Sequence, residues 1–361
     1  RSRAGAGEDV EHKIEVVPAA DEPGWADVAV LVRDRFPIGA KAKIHTSDRY
    51  NLEVFHRNVA GLGLNLEYEI PVERGKTPEV GYRLRASATN VFGSFVDLSA
   101  QTRDEWSWAE DYVIVNRDFV HPNIKLVGGV GLFHAVDKIN PQLPEGSNLE
   151  TRTIDPWLGW GFKLSSGDQY GRRRVRLIPA VRVRNVNYLS PPRQYANSEN
   201  QWRDWRRYLG QITVVGVDHY TTSLVNSYGE TEDIPSGTWA GLVGGYEDAE
   251  LRERLYHGIR VVLPRFTKRE SYVVLGAAFG GFRRDGRFED GVLDLLVGGF
   301  SALQKRRSGD WRHFYTFEYV LGINRNTSNR LRLDEFALRD LDTDQVTGDQ
   351  RLTAEYEGVL F

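Results

Sequence analysis

Apolar and polar residues alternate along most of this chain with a period of two. Leu62, Leu64, Leu66, Tyr68 and Ile70 fall on one side of an extended segment, with Gly61, Gly63, Asn65, Glu67 and Glu69 on the other. Tyr82, Leu84, Ala86 and Ala88 alternate likewise with Gly81, Arg83, Arg85, Ser87 and Thr89. Val175, Leu177, Val181 and Val183 oppose Arg174, Arg176, Arg182 and Arg184. Trp311, Tyr315, Phe317, Tyr319, Leu321 and Ile323 oppose Arg312, Thr316, Glu318 and Gly322. Side chains alternate across a strand, so each segment carries one greasy and one polar face. No long window shows a helical period. The pattern predicts an all-β chain.

Segment length selects among β folds. Residues 60–70, 80–89, 124–134, 174–185, 270–282, 289–303 and 311–323 reach the roughly 9–11 residues of a tilted membrane-crossing strand. Strands of soluble sandwiches are usually about 5–6 residues. Roughly fifteen such segments follow residue 38, which predicts a transmembrane antiparallel β-barrel of about 12–16 strands over residues 39–361. No stretch approaches the roughly 18 apolar residues of a membrane helix. The apolar fraction of only 40% is consistent with a barrel, where every second residue faces lipid. Trp106, Trp108, Trp157, Trp160, Trp202, Trp205, Trp239 and Trp311 stand where segments end, as in aromatic girdles at membrane interfaces. Residues 135–151, 188–208 and 226–236 are expected to be long loops. The first 38 residues differ: His12–Val17 and Ala26–Arg33 read as two short strands joined by a Pro/Asp/Glu/Gly turn, the end of a small separate domain.

Charge changes little in this picture. With 47 basic and 50 acidic residues, the chain carries no polybasic signal for nucleic acid or anionic membrane. The basic residues are 38 Arg and 9 Lys; Arg suits a crowded polar interior, and a GC-rich genome gives the same bias. There is no cysteine, so disulfides, thiolate metal sites and Cys nucleophiles are excluded. Methionine is also absent. Arg1–Val10 shows no signal-peptide pattern, as expected of a mature exported chain.

Chemistry is sparse. None of the eight histidines (His12, His45, His56, His121, His134, His219, His257 and His313) has metal-ligand spacing, and there is no nucleophile elbow or phosphate loop. Asp218-His219 with Ser223 invites a hydrolase reading, but an even spacing on a strand gives only a shared face. Glu67 with Glu69, and Glu355 with Glu357, also share a face. They read as interior charges that Arg83, Arg85, Arg174, Arg176, Arg182 and Arg184 neutralise in cross-strand ladders. Catalytic residues, metal and cofactors are not expected. In 188–208, Trp202, Arg203, Trp205, Arg206 and Arg207 mix base and aromatic as a nucleic-acid surface does. An outer loop meeting lipopolysaccharide or solvent is the preferred reading, and no nucleic-acid partner is expected.

Val28-Ala29-Val30-Leu31-Val32-Arg33-Asp34-Arg35-Phe36, after a strand pair, resembles the passage from the last periplasmic POTRA domain into the barrel of the Omp85 superfamily, the outer-membrane assembly factors and two-partner secretion transporters. Tyr50-Asn51-Leu52-Glu53-Val54 followed by Asn58-Val59-Ala60-Gly61-Leu62-Gly63 resembles the second and third barrel strands with a glycine-bearing hairpin between. Asn116-Arg117-Asp118-Phe119-Val120-His121-Pro122 resembles a short turn before another long strand. Leu338-Arg339-Asp340-Leu341, then Gly348, Arg351-Leu352 and Glu355, resembles the family's inward lid loop and the strand after it. Arg339 matches the arginine of the family's Arg-Gly-aromatic motif, whereas Asp340 and Leu341 depart from its glycine and aromatic.

The resemblance implies a sixteen-stranded barrel, with residues 1–38 as the end of a POTRA-like domain in the periplasm. By its motif order the chain stops after about the twelfth strand, with Phe361 a product of truncation rather than a terminal assembly signal. Arg339 would anchor the lid loop, with Asp340, Glu355 and Glu357 as further lid or interior candidates. The expected function is insertion or translocation of polypeptides at the bacterial outer membrane. Unfolded outer-membrane or secreted polypeptides, accessory lipoproteins, lipid and lipopolysaccharide are the expected partners. The physical logic is β-augmentation at a weakly paired seam, which Gly39, Gly61 and Gly63 would loosen. A passive or substrate-specific channel, and a barrel tethering an N-terminal enzyme such as a patatin-like lipase, are the alternatives.

Overall fold

In the computed structural model the described residues are 10–18, 26–34, 36–119, 124–139, 147–165, 174–189, 202–225, 231–250, 252–267, 270–307, 309–325, 330–332 and 346–361. Their regular structure is β, with only two single-turn 3-10 segments. Strands β1 (Val10–Pro18) and β2 (Ala26–Asp34) pair antiparallel in a sheet of their own, from Val10 opposite Asp34 to Pro18 opposite Ala26.

The chain divides into two compact units. In the first, β3 (Ile38–Ile44), β4 (Arg49–His56), β5 (Leu64–Glu73), β6 (Tyr82–Ala88), β7 (Asp97–Asp104), β8 (Trp108–Arg117) and β9 (Leu126–Asp137) each pair antiparallel with the next. Then come β10 (Leu149–Trp160), the short β11 (Phe162–Ser165) and β12 (Arg174–Tyr188); β10 and β12 contribute residues to both units. The second unit, which holds the whole of β11, continues with β13 (Trp205–Val217), followed by β14 (His219–Ser223) and β15 (Thr231–Pro235), a separate two-stranded ribbon. Its meander runs on from β13 through β16 (Trp239–Ala249), β17 (Arg252–Phe266), β18 (Tyr272–Arg284) and β19 (Arg287–Phe300). After β20 (Gln304–Arg306) comes β21 (Gly309–Ile323), which pairs with β19 and β20. The two-residue β22 (Leu331–Arg332) and β23 (Thr347–Gly348) pair with each other. β24 (Gln350–Leu360) pairs with β21.

Register sorts the alternating residues onto two faces. In the first unit Ala40, Val54, Tyr68 and Leu84 lie in one cross-strand row, and Lys41, Glu53, Glu69, Arg83, Arg103 and Glu110 lie in a row on the opposite face. In the second, Ile212, Leu242, Ile259, Phe279, Leu293 and Leu321 form an apolar row. The adjoining row on the other face is Thr213, Gly241, Arg260, Ala278, Asp294, Val320 and Arg351. The apolar faces are the exposed ones: Ile212, Leu242, Leu275, Phe317 and Leu352 are all more than 45% exposed.

Several expectations are corrected. Among the described residues sixteen strands of seven residues or more follow residue 37, eight from β3 to β10 and eight more in β12, β13, β16 to β19, β21 and β24. Fifteen of them precede Arg339, so the count of about twelve implied by the motif order does not hold. Residues 60–63 form a turn, not the start of a strand. Asn58, Ala60, Gly61 and Gly63 have φ of 50, 52, 75 and 69°, and the Asn58 side chain accepts the Gly63 N–H at 2.8 Å. The same turn recurs at Asn90, whose side chain accepts the Phe95 N–H at 2.8 Å. Gly61 and Gly63 therefore supply left-handed backbone to a hairpin and loosen no strand. Two predicted loops also shrink: 135–137 and 149–151 continue β9 and β10, and Trp205, Arg206, Arg207 and Tyr208 belong to β13. Within 226–236, residues 231–235 are strand β15.

Trp311 keeps the expected place, in line with Phe317 on the apolar face and opposite Leu360, and Trp160 stands exposed in line with Ile154 and Leu158, but other strand-end tryptophans do not face that side. Trp108, Trp205 and Trp239 lie on the polar faces under Arg103, Arg207 and Arg260, at 5.6, 4.1 and 6.0 Å from guanidinium carbon to ring centroid. Trp106 lies in a turn below Lys76. A ring's negative face attracts a cation, so the charged faces recruit them.

Candidate functional site

The functional candidates lie on the polar faces. In the first unit the charges run across strands as a ladder. Lys41 donates to Glu53 at 3.0 Å, and Asn51 to Glu69 at 2.6 Å. Arg83 joins two carboxylates, donating to Glu69 at 2.6 Å and to Glu105 at 2.7 Å. Arg85 donates to Gln101 at 3.0 Å and stands 3.4 Å from Glu67. Gln101 passes the chain on to Glu110 at 3.2 Å. Cross-strand registry puts these partners side by side, Glu67 opposite Arg85 and Glu69 opposite Arg83, and charge-assisted bonds are stronger than neutral ones.

The second unit holds a denser cluster around Glu247, which has no solvent exposure. The tight hairpin between β16 and β17 sets Glu247 opposite Arg254, and β13 brings Arg207 opposite Glu247 from the other side. Arg254 donates to Glu247 Oε1 through Nη2 at 2.7 Å and through Nε at 2.9 Å. Arg207 Nε donates to Oε2 at 2.5 Å, and Arg252 Nε is 3.5 Å from Oε1. A bulge in the β18–β19 pairing admits Asp290, in a left-handed conformation (φ 49°). Arg254 reaches it at 2.7 Å. The Phe282 ring lies beneath both guanidiniums, 3.8 Å from Arg254 and 5.0 Å from Arg207. A carboxylate taken fully out of water is tolerable only with such compensation.

The predicted residues are dispersed. Arg83 and Arg85 belong to the first ladder. Arg176 is buried opposite Lys163, Arg184 lies 3.7 Å from Asp155, and Arg182 is exposed. Glu355 and Glu357 stand opposite Thr316 and Phe314 at exposed positions on β24. Nearby, Arg351 donates to Glu318 at 3.0 Å. The side chain of Arg174, and Arg339 and Asp340 altogether, lie outside the described residues. His219 and Ser223 sit four apart on the β14 edge, opposite Pro235 and Thr231. Asp218 accepts the backbone N–H of His219. Sequence reasoning missed the Glu247 cluster. Its signal was there in Glu247-Asp248-Ala249-Glu250-Leu251-Arg252-Glu253-Arg254, where acidic and basic residues crowd one short stretch.

Fold and faces together define a class: long antiparallel strands, charged and paired on one face, apolar and exposed on the other. No protein-family model matches the chain, and no curated protein matches it. Among solved structures the chain is similar to CdiB from Acinetobacter baumannii, at 10% identity and a TM-score of 0.41. That similarity covers 98% of this chain and 65% of the other, so the chain spans about two-thirds of that protein's length.

Proposed function

We propose that this chain is an Omp85-type barrel of a bacterial outer membrane that inserts or translocates polypeptides. The observation that carries the membrane part is the exposed apolar face. Leucine, isoleucine and phenylalanine at alternate positions of strands 11–15 residues long are uncovered by any other layer of the described residues, with their charged neighbours turned to the other side. A soluble protein rarely exposes a contiguous apolar patch of this kind; hydrocarbon is its natural partner. The polar faces then line an interior, where the ladders of Arg83 and of Glu247 keep charge away from lipid.

The polypeptide-handling part rests on the residue resemblance at the junction, where the β1–β2 pair leads into the first long strand, and would work by strand addition at a weakly paired seam. Depletion of the protein in cells is expected to deplete outer-membrane or secreted client polypeptides while it is itself heat-modifiable and membrane-integrated. Large, steady single-channel steps with undiminished clients would instead mark a passive channel and overturn the polypeptide-handling reading.

A further inference from the structure

A groove of about 570 Å³ opens on the apolar side of the first unit, across β6 to β10. Ala86 and Ala100 face each other across the β6–β7 pairing, and their small side chains leave a depression among Leu84, Val113, Leu132 and Ile154. Those four are each between 42 and 49% exposed. The wall of the groove is almost wholly apolar, but one end of it is not. Asp111 lies opposite His134 across β8 and β9. His134 spans two carboxylates, with Nε2 2.9 Å from Glu150 and Nδ1 3.7 Å from Asp111. Arg152 lines the same groove. It makes no hydrogen bond or ion pair among the described residues, and Asp111 keeps 63% of its side chain in the open.

These groups stand on the face whose other members are greasy, so the polar face's ladders cannot satisfy them. The juxtaposition is of an acyl-sized apolar trough, an unpaired guanidinium and a largely free carboxylate. We propose that this groove binds a single phospholipid with a zwitterionic head group, a phosphate diester next to a primary ammonium. Arg152 takes the phosphate, since a guanidinium offers paired donors to phosphate oxygens. Asp111 takes the ammonium, while Glu150 holds His134. One acyl chain lies over Ala86 and Ala100. A wholly anionic lipid would meet Arg152 but place no cation at Asp111, and a quaternary ammonium has no N–H to donate to it.

The inference uses the membrane part of the proposed function and not the polypeptide-handling part. Native mass spectrometry of the full chain, extracted in mild detergent, tests it with three added lipids: phosphatidylethanolamine, phosphatidylglycerol and phosphatidylcholine. Wild type is expected to retain one phosphatidylethanolamine at least fivefold over the others. Arg152→Gln and Asp111→Asn should each remove most of that preference, and Ala100→Leu should remove bound lipid altogether, with heat-modifiable mobility unchanged in all three. Equal retention of the three lipids, retention of lipopolysaccharide in their place, or an unaltered preference in Arg152→Gln would overturn it. Release of the protein from membranes by alkaline carbonate would instead sink the membrane reading beneath it.

Discussion

Glu247 and Arg254 meet across the β16–β17 hairpin, the carboxylate fully buried and the guanidinium 2% exposed, joined by two hydrogen bonds of 2.7 and 2.9 Å. Neither is satisfied by the other alone: Arg207 completes the carboxylate, and Asp290 completes the guanidinium. Two meander strands, a hairpin and a bulge thus converge on one point. Pairing arginines with carboxylates there fixes the hairpin's register, because a one-residue slip would turn both charges to the apolar face.

Replacing Glu247 by Gln should therefore be costly. It leaves Arg254 and Arg207 buried with a weakened partner, and removing one member of a buried pair costs about 3–5 kcal/mol. Exchanging the two residues (Glu247→Arg with Arg254→Glu) should not restore stability, because Arg207 and Asp290 would then face like charges. Urea-dependent unfolding from lipid vesicles measures both.

A charge on the apolar face tests which side meets lipid. Leu242, 59% exposed, is expected to tolerate Arg badly, at about 2–4 kcal/mol if it lies near the membrane midplane. Thr316→Arg on the polar face, opposite Glu355, should shift stability by no more than about 0.5 kcal/mol, as ordinary surface changes do. Equal effects in a vesicle-folding assay would contradict the assignment of faces.

Gly39 and Phe55 should behave as a unit. A Cβ at Gly39 would meet the Phe55 ring, which lies flat over this position with Lys41 and Arg57 at 4.8 and 4.7 Å. Gly39→Val is expected to cost about 1–3 kcal/mol by overpacking. Combined with Phe55→Ala, the loss should fall short of the sum of the single effects. Additive losses in unfolding would show that the ring does not cover the glycine.

Arg83 bridges Glu69 and Glu105, and a lysine can reach only one of them. In a double-mutant cycle with Glu69→Gln, the Arg83–Glu69 coupling should be about 0.5–1 kcal/mol, because both groups remain partly exposed. It should shrink as salt is raised. A coupling indifferent to salt would mean that the bond is shielded from solvent to an extent its exposure does not suggest.

Much of the fold was legible in the chain. Period-two alternation located the long strands and told which residues share a face. That holds because side-chain direction in a strand is a local property of the backbone. The Glu67–Arg85 and Glu69–Arg83 partners were legible for the same reason, since a short hairpin keeps neighbours in sequence order. The glycines at 61 and 63 were misread because alternation continued through them, while the left-handed turn is set by Asn58 and its hydrogen bonds. Trp108, Trp205 and Trp239 were placed at the right ends but on the wrong face, because which cation lies over a ring is settled between strands.

Of the Glu247 site the sequence held only the charged run from Glu247 to Arg254, not the cluster. Its members are spread from residue 207 to residue 290, and only cross-strand register and one bulge bring them together. Alternation by itself determined that this protein is all-β, with long two-faced strands and charges segregated from greasy residues. Tertiary structure alone decided which charges meet, as at Glu247, and which have no partner among the described residues, as at Arg152. The physical reason is that facing direction follows from local backbone geometry, whereas partnership depends on the register between strands far apart in the chain.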